Sequence, residues 1–276
     1  MDTATAYDVN GITLAAETFG DPADPAILLV HGACASMLWW EEALCRRIAA
    51  ESRYVIRYDQ RDTGRSTSFP VGRPGYGLRD LADDAVGLLD ALGVDSAHVV
   101  GRSMSGGVAL VLGVDHPHRT RSVTLVTTTT GELPMGEIEV PPDPDPADPA
   151  AVVDYLVEAL RAYAGASPHF DAEAVRALAA ADVARTRDLA ATLGNHYAMD
   201  FAGPRGGGFA DLRRPTLVVH GELDPVFPLA HGEALRDAVP GAELVVLPGA
   251  GHDVPEPVWD VFVRSLAAFT APEQTR

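Results

Sequence analysis

The chain has 276 residues, 47% of them apolar and 22% charged, which suits one large α/β domain with room for an inserted segment. Its formal charge of −18 excludes the clustered Lys and Arg that nucleic acid or an anionic membrane surface requires. No apolar run approaches the roughly 20 residues that span a bilayer, and the opening Met1-Asp2-Thr3 has neither the basic start nor the apolar stretch of a secretory signal.

All 21 basic residues are arginine, which reads as a genomic composition bias. The two cysteines, Cys34 and Cys45, match neither a disulfide framework nor a metal cluster. A reducing cytoplasm is therefore the expected compartment.

Residues 4–19 alternate as two opening strands around an Asn10-Gly11 turn. After a loop at 21–25, Ala26–Val30 is a continuous apolar run, the pattern of a strand buried on both faces of a parallel sheet. His31-Gly32-Ala33-Cys34 ends it, and a helical pattern containing Trp39, Leu44 and Ile48 follows. Tyr54–Tyr58 is the next strand, followed by the loop 59–66. Residues 78–92 form an amphipathic helix, with Leu81, Ala85, Leu88, Leu89 and Leu92 on one face and Gly93 as its stop.

A strand over 97–100 then runs into Gly101-Arg102-Ser103-Met104-Ser105-Gly106-Gly107 and a helical pattern over 108–114. After a strand at 122–126 the alternation breaks. Residues 131–149 are rich in Pro, Asp and Glu and cannot form a core element. Asp148-Pro149 reads as the N-cap and first residue of a helix to about Tyr163, Asp171 caps another near 172–182, and a third pattern runs to Gly194. The glycine-rich stretch 203–208 leads back to a strand at 216–220, a helix at 228–238, the strand Glu243–Leu247 and a last helix at 256–269. The expected fold is a mostly parallel, doubly wound α/β sheet. Its core is divided into 1–130 and 213–276, with 131–212 inserted as a helical lid at the strand ends where open α/β sheets bind ligands.

Strand, sharp turn and helix around 97–114 are the layout of a nucleophile elbow, in which the residues flanking a strained apex must be small. Two registers fit. Gly101-x-Ser103-x-Ser105 puts Ser103 at the apex, whereas Ser103-x-Ser105-x-Gly107 would put Ser105 there. The apolar strand ends just before Gly101, which favours Ser103.

A serine hydroxyl needs a base, and the base needs an orienting carboxylate. Asp224, in the turn after the strand at 216–220, and His252, after the last strand, are the candidates, giving the chain order Ser, Asp, His. Glu222, Asp253 and Glu132 are competing acids. Asp253 is disfavoured because its sequence neighbour is the histidine itself. The backbone amides of Met104 and Ala33 are the candidate oxyanion donors. Cys34 lacks a local base and reads as loop packing. Asp115-His116-Pro117-His118 resembles a metal motif but reads as a solvated helix end. Trp39 and Tyr197 are the candidate substrate-binding residues, within a wider aromatic set of Met37, Trp40, Met199 and Phe201.

Taken together, His31-Gly32, Asp59-x-Arg61-x-x-Gly64-x-Ser66, Gly101-x-Ser103-x-Ser105-Gly106, Asp224 and Gly251-His252 resemble the α/β-hydrolase superfamily. The segment 57–66, with 20–25, is similar to the aclacinomycin methylesterase group of actinobacterial polyketide tailoring enzymes. That resemblance implies hydrolysis of a carboxylic methyl ester on an aromatic polyketide. The expected reaction is ester cleavage through an acyl-enzyme, with a small-molecule substrate and no metal or organic cofactor. A lactonase or thioesterase would use the same residues, and a lyase or cyclase would use His252 and Asp224 for proton transfer alone.

Overall fold

The computed structural model describes residues 4–271, so Met1-Asp2-Thr3 and the last five residues lie outside it. Strands β1 (Thr5–Val9) and β2 (Ile12–Phe19) form a hairpin, with Asn10 and Gly11 at φ +50° and +77°. Positive φ at both central positions matches the turn to the twist of the strands. The other strands are β3 (Ala26–Val30), β4 (Tyr54–Tyr58), β5 (Ala97–Arg102), β6 (Thr120–Val126), β7 (Thr216–Gly221) and β8 (Glu243–Leu247). They join one eight-stranded sheet in the order β1-β2-β4-β3-β5-β6-β7-β8. Strand β2 is antiparallel to both of its neighbours, β1 and β4, and every pairing from β4 onward is parallel.

The continuous apolar runs have a direct cause. Leu28, Val30, Ile56, Val99 and Leu125 point to one buried face of the sheet, and Ile27, Leu29, Val55, Val100 and Val126 to the other. Helices α2 (Leu78–Ala91), α3 (Ser105–Asp115) and α7 (Ala230–Ala238) cover the first face; α1 (Glu42–Ala49) and α8 (Trp259–Phe269) cover the second. Trp39 does not belong to α1 as its spacing suggests. It closes a separate 3₁₀ turn, Met37–Trp39, and α1 begins only at Glu42. Trp39 is drawn out of helical register because its indole N–H donates to Asp182 at 2.7 Å.

Between β3 and β5 the strand order reverses, since β4 lies on one side of β3 and β5 on the other. The carboxyl ends of β3 and β5 therefore face an open crevice. Strands β6 and β7 are adjacent, and the chain between them carries three helices outside the sheet: α4 (Pro149–Ala164), α5 (Ala172–Arg185) and α6 (Leu189–Ala198). Each opens on an aspartate, Asp148, Asp171 or Asp188, whose carboxylate accepts first-turn N–H groups. Such a cap is worth about 1 kcal/mol. Both α5 and α6 run further than their patterns suggest. The insertion is tied down by a buried ion pair between Arg185 of α5 and Asp59, 2.9 Å apart, with side chains 7% and 0% exposed.

Candidate active site

The strand–turn–helix around residue 103 places Ser103 in the left-handed region, at φ +51°. A non-glycine residue rarely adopts this conformation without being held. Here Ser103 N–H donates to Val126 O at 2.9 Å, and Thr128 Oγ1–H donates to Ser103 O at 2.7 Å. The flanking positions are crowded, since a Cβ at Gly101 would lie 2.1 Å from Ser105 O and one at Gly106 2.3 Å from Thr128 Oγ1. Ser105 begins α3 and is fully buried, with its hydroxyl donating to His31 O. That carbonyl also accepts from Gln60 Nε2 at 2.7 Å, so Ser105 and Gln60 together fix the start of the loop after β3.

Ser103 Oγ lies 2.9 Å from His252 Nε2, and His252 Nδ1 lies 2.8 Å from Asp224 Oδ2. With the ring proton on Nδ1 and donated to the carboxylate, Nε2 is left to accept from the serine hydroxyl. Asp224 is 4% exposed, and its Oδ1 accepts the N–H groups of Val226 and Phe227, each at 2.9 Å. His220 donates from Nε2 to Phe227 O at 2.7 Å, and burial holds its pKa below the usual imidazole range.

Of the competing acids, Glu222 instead accepts Gly249 N–H at 2.8 Å, which shapes the turn before His252. Glu132 is exposed, and half-buried Asp253 has a buried Oδ1 with no hydrogen-bond partner among the described residues. Burial pushes the Asp253 carboxyl up from its ordinary value.

Arg102 was not singled out by its sequence, yet it ties two loops together. Its guanidinium donates to His252 O at 2.8 Å and faces His31 Nε2 at 3.0 Å. Burial, then the Arg102 charge, holds the His31 pKa well below the ordinary value, which favours the neutral ring. In the loop after β3, Gly32 N–H is turned to its neighbour's ring at His31 Nδ1 and Cys34 N–H donates to His196 Nδ1. The Ala33 amide between them, like that of Met104, is left without a partner among the described residues. Burial raises the Cys34 thiol to about 12, which removes it as a nucleophile near neutral pH.

A cavity of about 580 Å³ opens above Ser103. Trp39, Tyr197 and Phe201 line it, whereas Met37, Trp40 and Met199 are packed into the core instead. Met104, a candidate oxyanion donor, adds its side chain to the wall, and residues the sequence did not mark join it: Met135 and Ile138 ahead of α4, Tyr155, Leu156 and Tyr163 on α4, and Phe227 after β7. The Phe227 and Tyr163 rings stand edge-on to the His252 imidazole, with centroids 5.3 and 5.8 Å away. The segment 115–118 has a structural task. Asp115 accepts the N–H groups of Arg205 and Gly206, and His116 lies 3.1 Å from Asp83. Among the described residues no helix is long and apolar enough to cross a membrane.

Comparison with known proteins agrees with this architecture. The family model of the alpha/beta hydrolase fold matches residues 25–256. Rhodomycin D methylesterase DauP of Streptomyces sp. (strain C5) is 32% identical, the alignment covering 94% of this chain and 95% of that protein. Rhodomycin D methylesterase DnrP of Streptomyces peucetius is 30% identical over the same shares. Among solved structures, the enol-lactonase from Burkholderia xenovorans LB400 superposes with a TM-score of 0.77 at 25% identity, covering 96% of this chain and 99% of that one.

Proposed function

The chain belongs to the α/β-hydrolase family, and from that premise we propose that it is a serine hydrolase cleaving a carboxylic ester through an acyl-enzyme. The observation that carries the reading is the unbroken chain of two hydrogen bonds from Ser103 to His252 to Asp224 at the floor of an apolar cavity. In this reaction Ser103 Oγ attacks the ester carbonyl as His252 Nε2 takes its proton. Asp224 fixes the ring tautomer and balances the imidazolium. The developing oxyanion is held by the Ala33 and Met104 amides. His252 then protonates the departing alkoxide, and water, deprotonated by the same ring, releases the acid.

Two relatives named as methylesterases support a methyl ester of a polyketide-like small molecule as the substrate. The cavity volume suits a molecule of that size. Residues 131–212 act as the lid that selects it. A lactone is the second reading, favoured by the likeness to an enol-lactonase.

One panel of methyl esters, lactones and thioesters, run on the wild type and Ser103→Ala, tests the proposal. Turnover of esters by the wild type, its loss in Ser103→Ala and covalent labelling of Ser103 by a fluorophosphonate are the expected results. Full activity in Ser103→Ala would overturn the assignment. Proton transfer without any covalent adduct would point to lyase or cyclase chemistry instead.

A further inference from the structure

The loop that carries the Ala33 amide turns at Cys34, whose φ of +60° is left-handed backbone for a residue with a side chain. What holds that turn comes from far along the chain. Cys34 N–H donates to His196 Nδ1 at 2.9 Å, and the Cys34 thiol reaches Leu193 O at 3.6 Å, both residues lying on α6. The other ring nitrogen of His196, Nε2, donates to Arg61 O at 2.8 Å. Accepting at Nδ1 and donating at Nε2 requires the neutral imidazole with its proton on Nε2. The side chain is 1% exposed, and burial lowers its pKa, which favours that neutral form.

The helix bearing His196 is itself fastened to the core loop that follows β4. Thr192 Oγ1–H donates to Asp62 O, Gly72 N–H donates to Asn195 Oδ1 at 2.8 Å, and Asn195 Nδ2 donates to Phe69 O at 3.2 Å. The insertion thus reaches the floor of the cavity through a fixed strut. On α4 the insertion makes a second such contact, because His252 N–H donates to Tyr163 O at 3.0 Å.

We propose that His196 is a positioning residue for the oxyanion amides: by accepting the Cys34 N–H it fixes the left-handed turn and so aims the Ala33 N–H, one residue earlier, at the reacting carbonyl. The inference rests on the serine-hydrolase reading above. An oxyanion donor acts more strongly in the transition state than on bound ester, so misplacing it lowers kcat and leaves KM nearly unchanged.

A pair of substitutions separates this role from simple packing. The amide oxygen of asparagine lies close to the place of Nδ1 and can accept from Cys34. Glutamine reaches the place of Nε2, keeps the bond to Arg61 O and leaves Cys34 N–H without an acceptor. With 4-nitrophenyl acetate as substrate, His196→Gln is expected to lower kcat roughly 10- to 100-fold with KM changed less than about threefold, and His196→Asn to recover roughly tenfold of that loss. Affinity for a trifluoromethyl ketone, which forms a tetrahedral adduct on Ser103, should follow kcat.

Equal losses in the two variants, a loss confined to KM, or no loss in His196→Gln would overturn the inference while leaving Ser103-dependent hydrolysis intact. Wild-type turnover that survives Ser103→Ala would bring down the serine-hydrolase reading and this inference with it. Should neither variant fold, ¹⁵N spectra of the wild-type His196 ring decide the matter. A neutral ring with its proton on Nε2 supports the role, and a proton on Nδ1 rules it out.

Discussion

Beneath the cavity, at the ends of β4, β5, β7 and β8, polar side chains such as Gln60, Ser105, Asp224 and His252 are buried, and each is held by a hydrogen-bond partner. Above it, α4 and the segment ahead of it present apolar side chains such as Leu156, Met135 and Ile138, which have no directional bonds to make. The floor tolerates little movement, because a displaced polar group there loses a partner inside a low-dielectric interior. The roof can change shape at the cost of contact area alone. Floor and roof are therefore under different physical constraints, and substitutions in the two regions should fail in different ways.

Asp224→Asn should have the largest effect. It keeps the shape of the floor but presents an N–H to His252, so the ring takes the wrong tautomer and kcat falls by roughly 10⁴-fold. Steady-state kinetics beside a thermal melt check this, and a variant within tenfold of wild type would remove Asp224 from its assigned role. Next is Arg185→Met, which strands the buried Asp59 carboxylate and should cost about 3–5 kcal/mol. Denaturant titration measures it; a loss below about 1 kcal/mol would mean that the insertion is not anchored through this pair.

A smaller effect is expected in the roof. Tyr155→Ala and Leu156→Ala should change the ratio of kcat/KM between a bulky and a small ester by about tenfold, since each removes contacts made with only part of the substrate. Rates that fall equally for every ester would instead make these residues part of the floor.

The smallest effect per group concerns acidity. His31, His196 and His220, and His98, which burial pushes down to about 4, are neutral in the folded protein. Unfolded, each titrates near 6.5, so below that value the unfolded chain binds more protons and stability drops as pH falls. From pH 7 to 6 each should cost at most about 0.7 kcal/mol. The carboxyls of Asp182 and of half-buried Asp253, which burial raises, act in the opposite sense and offset part of this loss. A melting temperature that holds or rises between pH 7 and 6 would contradict the neutral assignment.

The same contrast explains what could be read before any fold was known. Residues of the floor lie where short-range patterns end: Ser103 after an apolar strand and between small residues, Asp224 and His252 in turns after the strands at 216–220 and Glu243–Leu247. Each of those patterns is set by neighbours a few positions away. The roof is not so encoded. The apolar spacing of α4 shows that one face is covered, but the same spacing serves a core helix or a cavity wall, so Tyr155 and Leu156 could not be told from packing. Trp40 and Met199 erred in the other direction, aromatic or flexible residues in suggestive places that the core absorbs. Most hidden of all were the contacts of Arg102 and His196. The bond from Cys34 to His196 joins residues 162 positions apart, and nothing local to either announces it.

That separation bears on how the molecule comes into being. Ser103 and His252 meet across 149 residues of chain, with the whole helical insertion made in between. A polypeptide growing from its amino terminus contains Ser103 long before β8 exists, and during that interval its hydroxyl has no His252 to meet. Long-range pairings of this kind form late. Hydrolytic power should thus arrive abruptly, with the docking of the last strand and helix, so that regain of activity on refolding would time the closing step of assembly.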